Sequence, residues 1–358
     1  MIWGISPRQE PGQQTVSCDG TQEGTLRVLV TGSAGFIGFH LARRLLDEGH
    51  EVVGIDGMTS YYDVALKRRR HMILRNHPRF VAHEIMLEDR AALAGVMEGA
   101  RFDAIIHLAA QAGVRYGMHR PDTYIDSNIV GTANLIEAAR GMMPDHFLLA
   151  STSSVYGAST DLPFVEAQCS DYPISLYAAT KKATEVLAHS FSHLSGTPVT
   201  VLRFFTVYGT WGRPDMALFL FVDAILRGRN IEVYGNGQME RDFTYIDDVV
   251  ESVTRLLSCP PVAGDRAMGA SPAAPYRVVN VGNGQPVPLM DFVHEIETCL
   301  GRRARVDFLP MQPGDMTRTW ADTSLLERLT GFRPATPLSV GVRHFVEWYQ
   351  NYYARHPA

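Results

Sequence analysis

From Leu26 onward, short apolar runs alternate with segments of helical length. LRVLVT reads as a strand, FIGFHLARRLLDEGH as an amphipathic helix and EVVGID as a second strand. RFVAHE, FDAIIHLAA and HFLLAST follow as strands, separated by helical stretches such as YIDSNIVGTANLIEAAR. A helix through YAATKKATEVLAHSF leads to the strand TPVTVLRFF. The strands are almost uniformly apolar, as strands buried on both faces must be, and their alternation with helices predicts a parallel sheet covered on both sides. Right-handed crossovers then place the ligand crevice at the carboxyl ends of the strands. Beyond Thr206 the rhythm becomes irregular: VYGTWGRPDM reads as a loop and SCPPVAGDRAMGASPAAP as an exposed insertion. DFVHEIETCLG and SVGVRHFVEWYQNYY read as helices of a smaller C-terminal lobe.

The glycines of TGSAGFIG refine this picture. Gly32, Gly35 and Gly38 lie between the first strand and the first helix, where a tight turn, a close approach of pyrophosphate and close helix–strand packing each exclude a side chain. The helix start, with Phe36 and Ile37, offers N–H groups and partial positive charge to a phosphate. Asp56 ends the second strand, where a carboxylate accepts hydrogen bonds from both hydroxyls of an adenosine ribose and repels a 2′-phosphate. The expected fold is therefore α/β, a Rossmann-type doubly wound parallel sheet with a smaller C-terminal substrate-binding lobe, and the expected cofactor is NAD. The domain reading is a disordered extension over 1–24, an NAD-binding Rossmann domain over 25–205, and a mainly substrate-binding lobe over 206–358 with some segments returning to the Rossmann domain.

Tyr177 and Lys181 stand four apart on a predicted helix, hence on one face. A phenol titrates near 10, so a neighbouring ammonium and a cationic nicotinamide are expected to favour the phenolate a base needs. The hydroxyl run Ser151-Thr152-Ser153-Ser154 ends a strand, and Thr152 is placed to share a hydrogen bond with a substrate hydroxyl and the tyrosine.

Composition excludes several other classes. The 358 residues are 46% hydrophobic with a net charge of −5 dispersed over both signs, which argues against a nucleic-acid surface. The block Lys67-Arg68-Arg69-Arg70 reads as a solvated helix face. Cys18, Cys169, Cys259 and Cys299 show no ligand spacing, which fits a reducing compartment and no metal. No run of 18 apolar residues and no signal-peptide pattern occurs, so a cytoplasmic protein without a membrane span is expected.

TGSAGFIG, HLAAQAGVR, STSSVYG, YAATK, RFFTVYGTWGRPDMALF and RDFTYIDD together resemble the extended short-chain dehydrogenase/reductase family, closest to its bacterial UDP-glucuronate 4-epimerases. The resemblance runs from Leu26 to Tyr353, and DGMTSYYDVALKRRR is a particularly specific stretch of it. It implies NAD retained through a cycle of oxidation and reduction, with Thr152, Tyr177 and Lys181 catalytic. It implies further cofactor contacts from Leu108, Ala109, Ala110 and Gln111 at a strand end, from Asn128 on the following helix, and from Phe204 and Phe205, which are also plausible strand-end core aromatics. Arg241 resembles the arginine that grips the diphosphate, Tyr234 the aromatic beside uracil and Asp315 the acid near the uridine ribose. Ile85-Met86-Leu87 replaces a Gly-Asp-Ile pattern of relatives, so Met86 and Leu87 are expected to hold adenine through backbone and apolar contacts. Gln312 stands near where glucose-type epimerases carry an arginine, so the diphosphate grip is expected to be weaker or differently built.

A uronic acid requires an anion pocket. Arg213 offers a bidentate partner for a carboxylate, with Arg115 as a second candidate, and Ser153, Ser154 and Thr206 are expected to complete the pocket. The alternatives within the enzyme class are a UDP-glucuronate decarboxylase, which usually carries glutamate at the position of Ser154, and a neutral UDP-hexose 4-epimerase. A non-catalytic NAD-sensing regulator on the same fold is the alternative outside it. The resemblance also implies a homodimer formed through the helices around 123–140 and 177–195, with Ile125, Ile129, Val130, Val186 and Leu187 among the candidate contacts.

Overall fold

The computed structural model describes residues 24–355; the predicted disordered extension therefore lies almost wholly outside the described residues. The chain runs β1 (Arg27–Thr31), α1 (Phe36–Asp47), β2 (Glu51–Ile55), α2 (Val64–Arg75), β3 (Phe80–His83), α3 (Arg90–Met97) and β4 (Ala104–His107). It continues through α4 (Pro121–Tyr124), α5 (Gly131–Arg140), β5 (His146–Thr152), α6 (Leu176–Ser195) and β6 (Val199–Phe204). The remainder comprises β7 (Thr206–Tyr208), α7 (Ala217–Leu226), β8 (Asn230–Val233), β9 (Glu240–Tyr245), α8 (Ile246–Leu257), β10 (Tyr276–Val281), β11 (Pro286–Pro288), α9 (Leu289–Leu300), β12 (Arg305–Phe308), α10 (Ser324–Thr330) and α11 (Leu338–Arg355).

Seven strands form one parallel sheet in the order β10-β6-β5-β4-β1-β2-β3. Strand order reverses between β1 and β4, and a doubly wound sheet opens its binding crevice there, at the carboxyl ends. β10 belongs to the late part of the chain yet pairs with β6 along six residues, from Tyr276 opposite Val199 to Val281 opposite Phe204. The smaller sheets, β11-β9-β7 and β12-β8, lie in the C-terminal half. One large core joins β1, β5 and β6 to α7, α8, α9 and α11, so the two halves share apolar packing. A second core, with Phe147 and Phe191, fills the opposite face of the sheet.

Two expectations change. The segment read as one helix over 123–140 is α4, then a π-helix at Ile125–Val130, then α5. The basic block is not a solvated face: Lys67 is 6% exposed and Arg70 is fully buried, while Arg68 is exposed. Arg70 stays soluble in the interior because carbonyls and a hydroxyl replace its water. Its Nη1 donates to the carbonyl of Ala34 at 2.8 Å and to Tyr62 Oη at 2.9 Å, and its Nη2 donates to the carbonyl of Trp211 at 2.6 Å. It thereby ties the glycine turn to the loop that carries Arg213.

Candidate active site

The turn after β1 is shaped by excluded side chains. Gly32 has φ +73°, and a Cβ there would lie 2.8 Å from the Ala109 nitrogen. A Cβ on Gly38 would collide with the carbonyl of Gly32, so the helix can pack on the strand only with glycine there. Gly35 caps α1 without a side-chain hydrogen bond, leaving the first N–H groups free to meet an anion. Phe36, Ile37 and Gly38 line the cleft beside it. Asp56, nearly buried at the end of β2, accepts from the amide of Ala34 at 3.0 Å and of Met58 at 2.9 Å, and it too lines the cleft. A glycine cradle, an uncapped helix start and a carboxylate at the next strand end are the donors and the acceptor that an NAD molecule's pyrophosphate and adenosine ribose require. Met86 and Leu87 line the same wall, as do Leu108, Ala109, Ala110 and Gln111 from the end of β4 and Phe204 and Phe205 from the end of β6.

The reacting groups converge from β5 and α6. Ser175 caps α6, accepting from the Ala178 amide at 3.2 Å, and starts the helix so that Tyr177 and Lys181 fall on one face, both lining the cleft with Thr152. Thr152 ends β5, and its hydroxyl accepts from the Ser154 amide at 3.2 Å as the chain turns. A buried network holds the two elements in register. Ser151 Oγ donates to Glu185 at 2.6 Å, and Arg203 of β6 reaches the same carboxylate bidentately at 2.9 and 2.8 Å. Removing Arg203 or Glu185 would break the buried ion pair, at a cost of about 3–5 kcal/mol.

Burial pushes the Tyr177 phenol above its ordinary range; the positive charge of Arg213 and the Thr152 hydrogen bond pull it back only in part. Burial also brings the Lys181 amine down to about 8, against the opposing charge of Glu185. Burial thus favours the neutral phenol, and the positive charge of Arg213 works in the opposite direction, toward the phenolate. His107, below the cleft, is held near 3 by burial and bridges Thr31 and Thr132 at 2.7 and 2.9 Å.

Residues 28–268 match the NAD dependent epimerase/dehydratase family. The chain belongs to that family. It is 58% identical over 336 residues to a probable UDP-glucuronate 4-epimerase of Rhizobium meliloti, covering 92% of this chain and 98% of that protein. The fold is similar to the crystal structure of UDP-glucuronic acid 4-epimerase from Bacillus cereus in complex with UDP-glucuronic acid and NAD. There the TM-score is 0.81 at 31% identity, covering 92% of this chain and 100% of that one. A dTDP-glucose 4,6-dehydratase double mutant from Streptomyces venezuelae also reaches a TM-score of 0.81, at 26% identity, covering 92% of this chain and 98% of that one. Shape alone therefore does not separate the family's chemistries; the side chains must.

The remaining candidate residues fall into two places. Arg213 lines the cleft together with Thr152, Tyr177 and Lys181. Ser153 is buried beside Thr152, Ser154 Oγ lies 3.2 Å from Thr152 Oγ1, and Thr206 begins β7 immediately after Phe205. Arg115 sits elsewhere. It pairs with Asp315 at 3.3 Å and stacks over the Tyr234 ring at 4.0 Å, which brings two of the three expected nucleotide contacts together. Arg241 belongs with them electrostatically: burial depresses its basicity and the Asp315 charge opposes this. Its Nη1 donates to the carbonyls of Glu240 at 3.0 Å and Thr317 at 3.2 Å. Asn128 does not line the cleft. Fully buried in the π-helix, it accepts from the Gln111 amide at 2.7 Å and donates to the Gln111 carbonyl at 3.1 Å and to Thr180 Oγ1 at 2.9 Å, so it holds the wall from behind.

The sequence reading assigned no role to Thr59, Tyr61, Tyr62, Lys67, Asp215 and Met216, which also line or adjoin the cleft. Lys67 donates to Thr59 Oγ1 at 3.0 Å, and burial lowers its basicity while the charge of Asp56 partly restores it. The one available signal was the unusual stretch after Asp56, in which two tyrosines and a lysine precede a helix. Among the described residues no cluster of metal-ligating side chains occurs, and no helix is long and apolar enough to cross a membrane.

Proposed function

We propose that this protein is a UDP-glucuronate 4-epimerase, interconverting UDP-glucuronate and UDP-galacturonate through a 4-keto sugar with NAD bound throughout. The observation that carries the reading is one cleft lined by both the Thr152–Tyr177–Lys181 set and an arginine, Arg213, suited to a sugar carboxylate. When bound, NAD supplies the hydride acceptor that takes hydrogen from C4 and returns it to the opposite face. Tyr177 takes the proton of the 4-hydroxyl and later gives it back, Thr152 shares a hydrogen bond with both, and Lys181 stabilises the phenolate and the nicotinamide ribose. The glycine turn and Asp56 hold pyrophosphate and adenosine ribose, with Met86 and Leu87 against adenine. Arg115, Tyr234, Arg241 and Asp315 hold the uridine diphosphate.

Arg213, with hydroxyls from Ser153, Ser154 and Thr206, orients the C6 carboxylate. A ketone at C4 makes that carboxylate prone to leave as carbon dioxide when the C5–C6 bond aligns with the carbonyl π-system. Holding it out of that alignment separates an epimerase from a decarboxylase. Ser153 and Ser154 stand where decarboxylases and dehydratases of this family carry acidic residues, and the intact Tyr177–Lys181 pair disfavours a non-catalytic regulator. Arg115 is less suited to the carboxylate because, unlike Arg213, it does not line the cleft with Thr152, Tyr177 and Lys181.

The enzyme is further proposed to act in the cytoplasm, to feed surface polysaccharide synthesis, and to be a homodimer. Support for assembly is the exposure of Ile125, Val130, Val186 and Leu187 on the two helical stretches. Proton NMR of UDP-glucuronate incubated with the purified protein tests the central reading: UDP-galacturonate is expected, and a 4-keto-pentose product or no reaction would overturn it.

A further inference from the structure

The Arg213 guanidinium has two usable edges, and one is already taken. Nε and Nη2 engage Asp215 side-on, at 3.0 Å to Oδ1 and 2.5 Å to Oδ2. Tyr61 Oη donates to the same Oδ2 at 3.0 Å, from the loop that follows β2. Tyr61 is itself fixed by its ring, which packs at 4.9 Å against Tyr116. The loop after β4 closes the third side. Gly113 has φ +95°, and a Cβ there would lie 2.5 Å from Tyr61 Oη and 3.8 Å from Arg213 Nη2. Three loops thus meet on one ion pair. Arg213 Nη1 makes no hydrogen bond among the described residues and is not a buried orphan, and Arg213 lines the cleft. The edge left open is Nη1/Nη2, end-on. A guanidinium donates in its own plane, so whatever fixes that plane fixes where a second carboxylate must sit.

We propose that Asp215 and Tyr61 are positioning residues that lock the plane of Arg213, so that its end-on edge holds the substrate carboxylate out of line with the C4 carbonyl. This rests on the uronate reading above and names what enforces its selectivity. Neither residue needs to touch the sugar. Their charge effect runs against simple affinity. Asp215 offsets the charge of Arg213, so removing it leaves a stronger but less oriented cation. The pair is therefore read in the fate of the intermediate rather than in binding. When the carboxylate swings into alignment, the C5–C6 bond breaks, its electron pair enters the C4 carbonyl as an enolate and carbon dioxide leaves. C5 then takes up a proton, giving a UDP-4-keto-pentose, and the hydride removed from C4 stays behind on the cofactor as NADH.

The test compares holoenzyme of wild type, Asp215→Asn and Tyr61→Phe. Asp215→Asn keeps the shape and one acceptor but loses the charged bidentate lock; Tyr61→Phe removes one hydrogen bond and keeps the ring. The readouts are the products formed from UDP-glucuronate, resolved by mass spectrometry, and the affinity for UDP-glucose by calorimetry. Expected is a rise in the fraction of decarboxylated product, lighter than UDP-glucuronate by carbon dioxide and two hydrogens, about tenfold or more in Asp215→Asn and about threefold in Tyr61→Phe. KM for UDP-glucuronate should rise by no more than about threefold, and UDP-glucose affinity should be unchanged. A fall in epimerisation with the decarboxylated fraction at the wild-type level would show an ordinary structural contact and overturn the proposal, as would no change in either variant. Wild-type protein inert toward UDP-glucuronate would instead remove the uronate reading itself, and this inference with it.

Discussion

Replacing Tyr177 by phenylalanine removes one oxygen and little else. The ring keeps its edge-on contact with Tyr124, at 6.4 Å between centroids, and the helix keeps its Ser175 cap. What disappears is the phenol that Thr152 hydrogen-bonds and that burial holds protonated. Losing one hydrogen bond costs about 0.5–1.5 kcal/mol, and no longer burying a hydroxyl returns part of it, so stability should stay within about 1 kcal/mol of wild type. Catalysis should suffer far more. Positioned acid–base assistance is worth about 10²–10⁴ in rate, or about 2.7–5.4 kcal/mol of barrier at 1.36 kcal/mol per decade. Because the proton moves only on the way to the transition state, kcat should carry the loss while KM changes little. Epimerisation of UDP-glucuronate, followed by NMR with bound NAD quantified after denaturation, measures both. In wild type kcat should rise with pH as the phenol ionises to the base form, and this rise should vanish in Tyr177→Phe. A mutant that retains NAD and turns over within tenfold of wild type would refute the assignment of Tyr177.

Arg213→Ala should weaken UDP-glucuronate binding by about 2–5 kcal/mol, because it removes the partner of a buried carboxylate and leaves Asp215 unpaired. UDP-glucose binding should fall far less, and equal losses by calorimetry would return Arg115 to contention. Purified protein should carry NAD and turn over without added cofactor; a requirement for stoichiometric NAD with release of NADH would mark a dehydrogenase. Lys181 gives a pH signature in cofactor-stripped protein, since its amine falls from 10.5 in the open chain to about 8 in the fold. Between those values the unfolded chain binds more protons, so unfolding free energy should rise with pH, by about 3 kcal/mol over the full interval. Urea midpoints of wild type and Lys181→Met at pH values near 7.5 and 9.5 should diverge accordingly; parallel curves would contradict it. The assembly reading expects a dimeric mass by light scattering at micromolar concentration, and Val186→Glu, on an exposed helix position, should shift it toward monomer.

Local rules were enough for much of this molecule. A glycine turn between an apolar strand and a helix, an acid at the next strand end, and a tyrosine and lysine one helical turn apart are all set by neighbours in sequence, so Gly32, Gly38, Asp56, Tyr177 and Lys181 could be read directly. Periodicity likewise announced the parallel sheet, because strands buried on both faces must be apolar throughout. What only the tertiary structure decided depends on groups that meet from far apart. Arg70 looks like part of a solvated charge run until the carbonyls of Ala34 and Trp211, 36 and 141 positions away, replace its water. β10 shows no local sign that it will pair with β6 across the insertion. The division of the two arginines, Arg213 locked by Asp215 and Tyr61 and Arg115 held by Asp315, is set by contacts of up to 200 residues' separation. The protonation of Tyr177 belongs to the same class, since burial depends on the whole fold while the lysine spacing depends on one helix. Apolar pattern and backbone geometry are short-range and repeat along the chain; desolvation and charge pairing are decided by whatever the fold brings into reach.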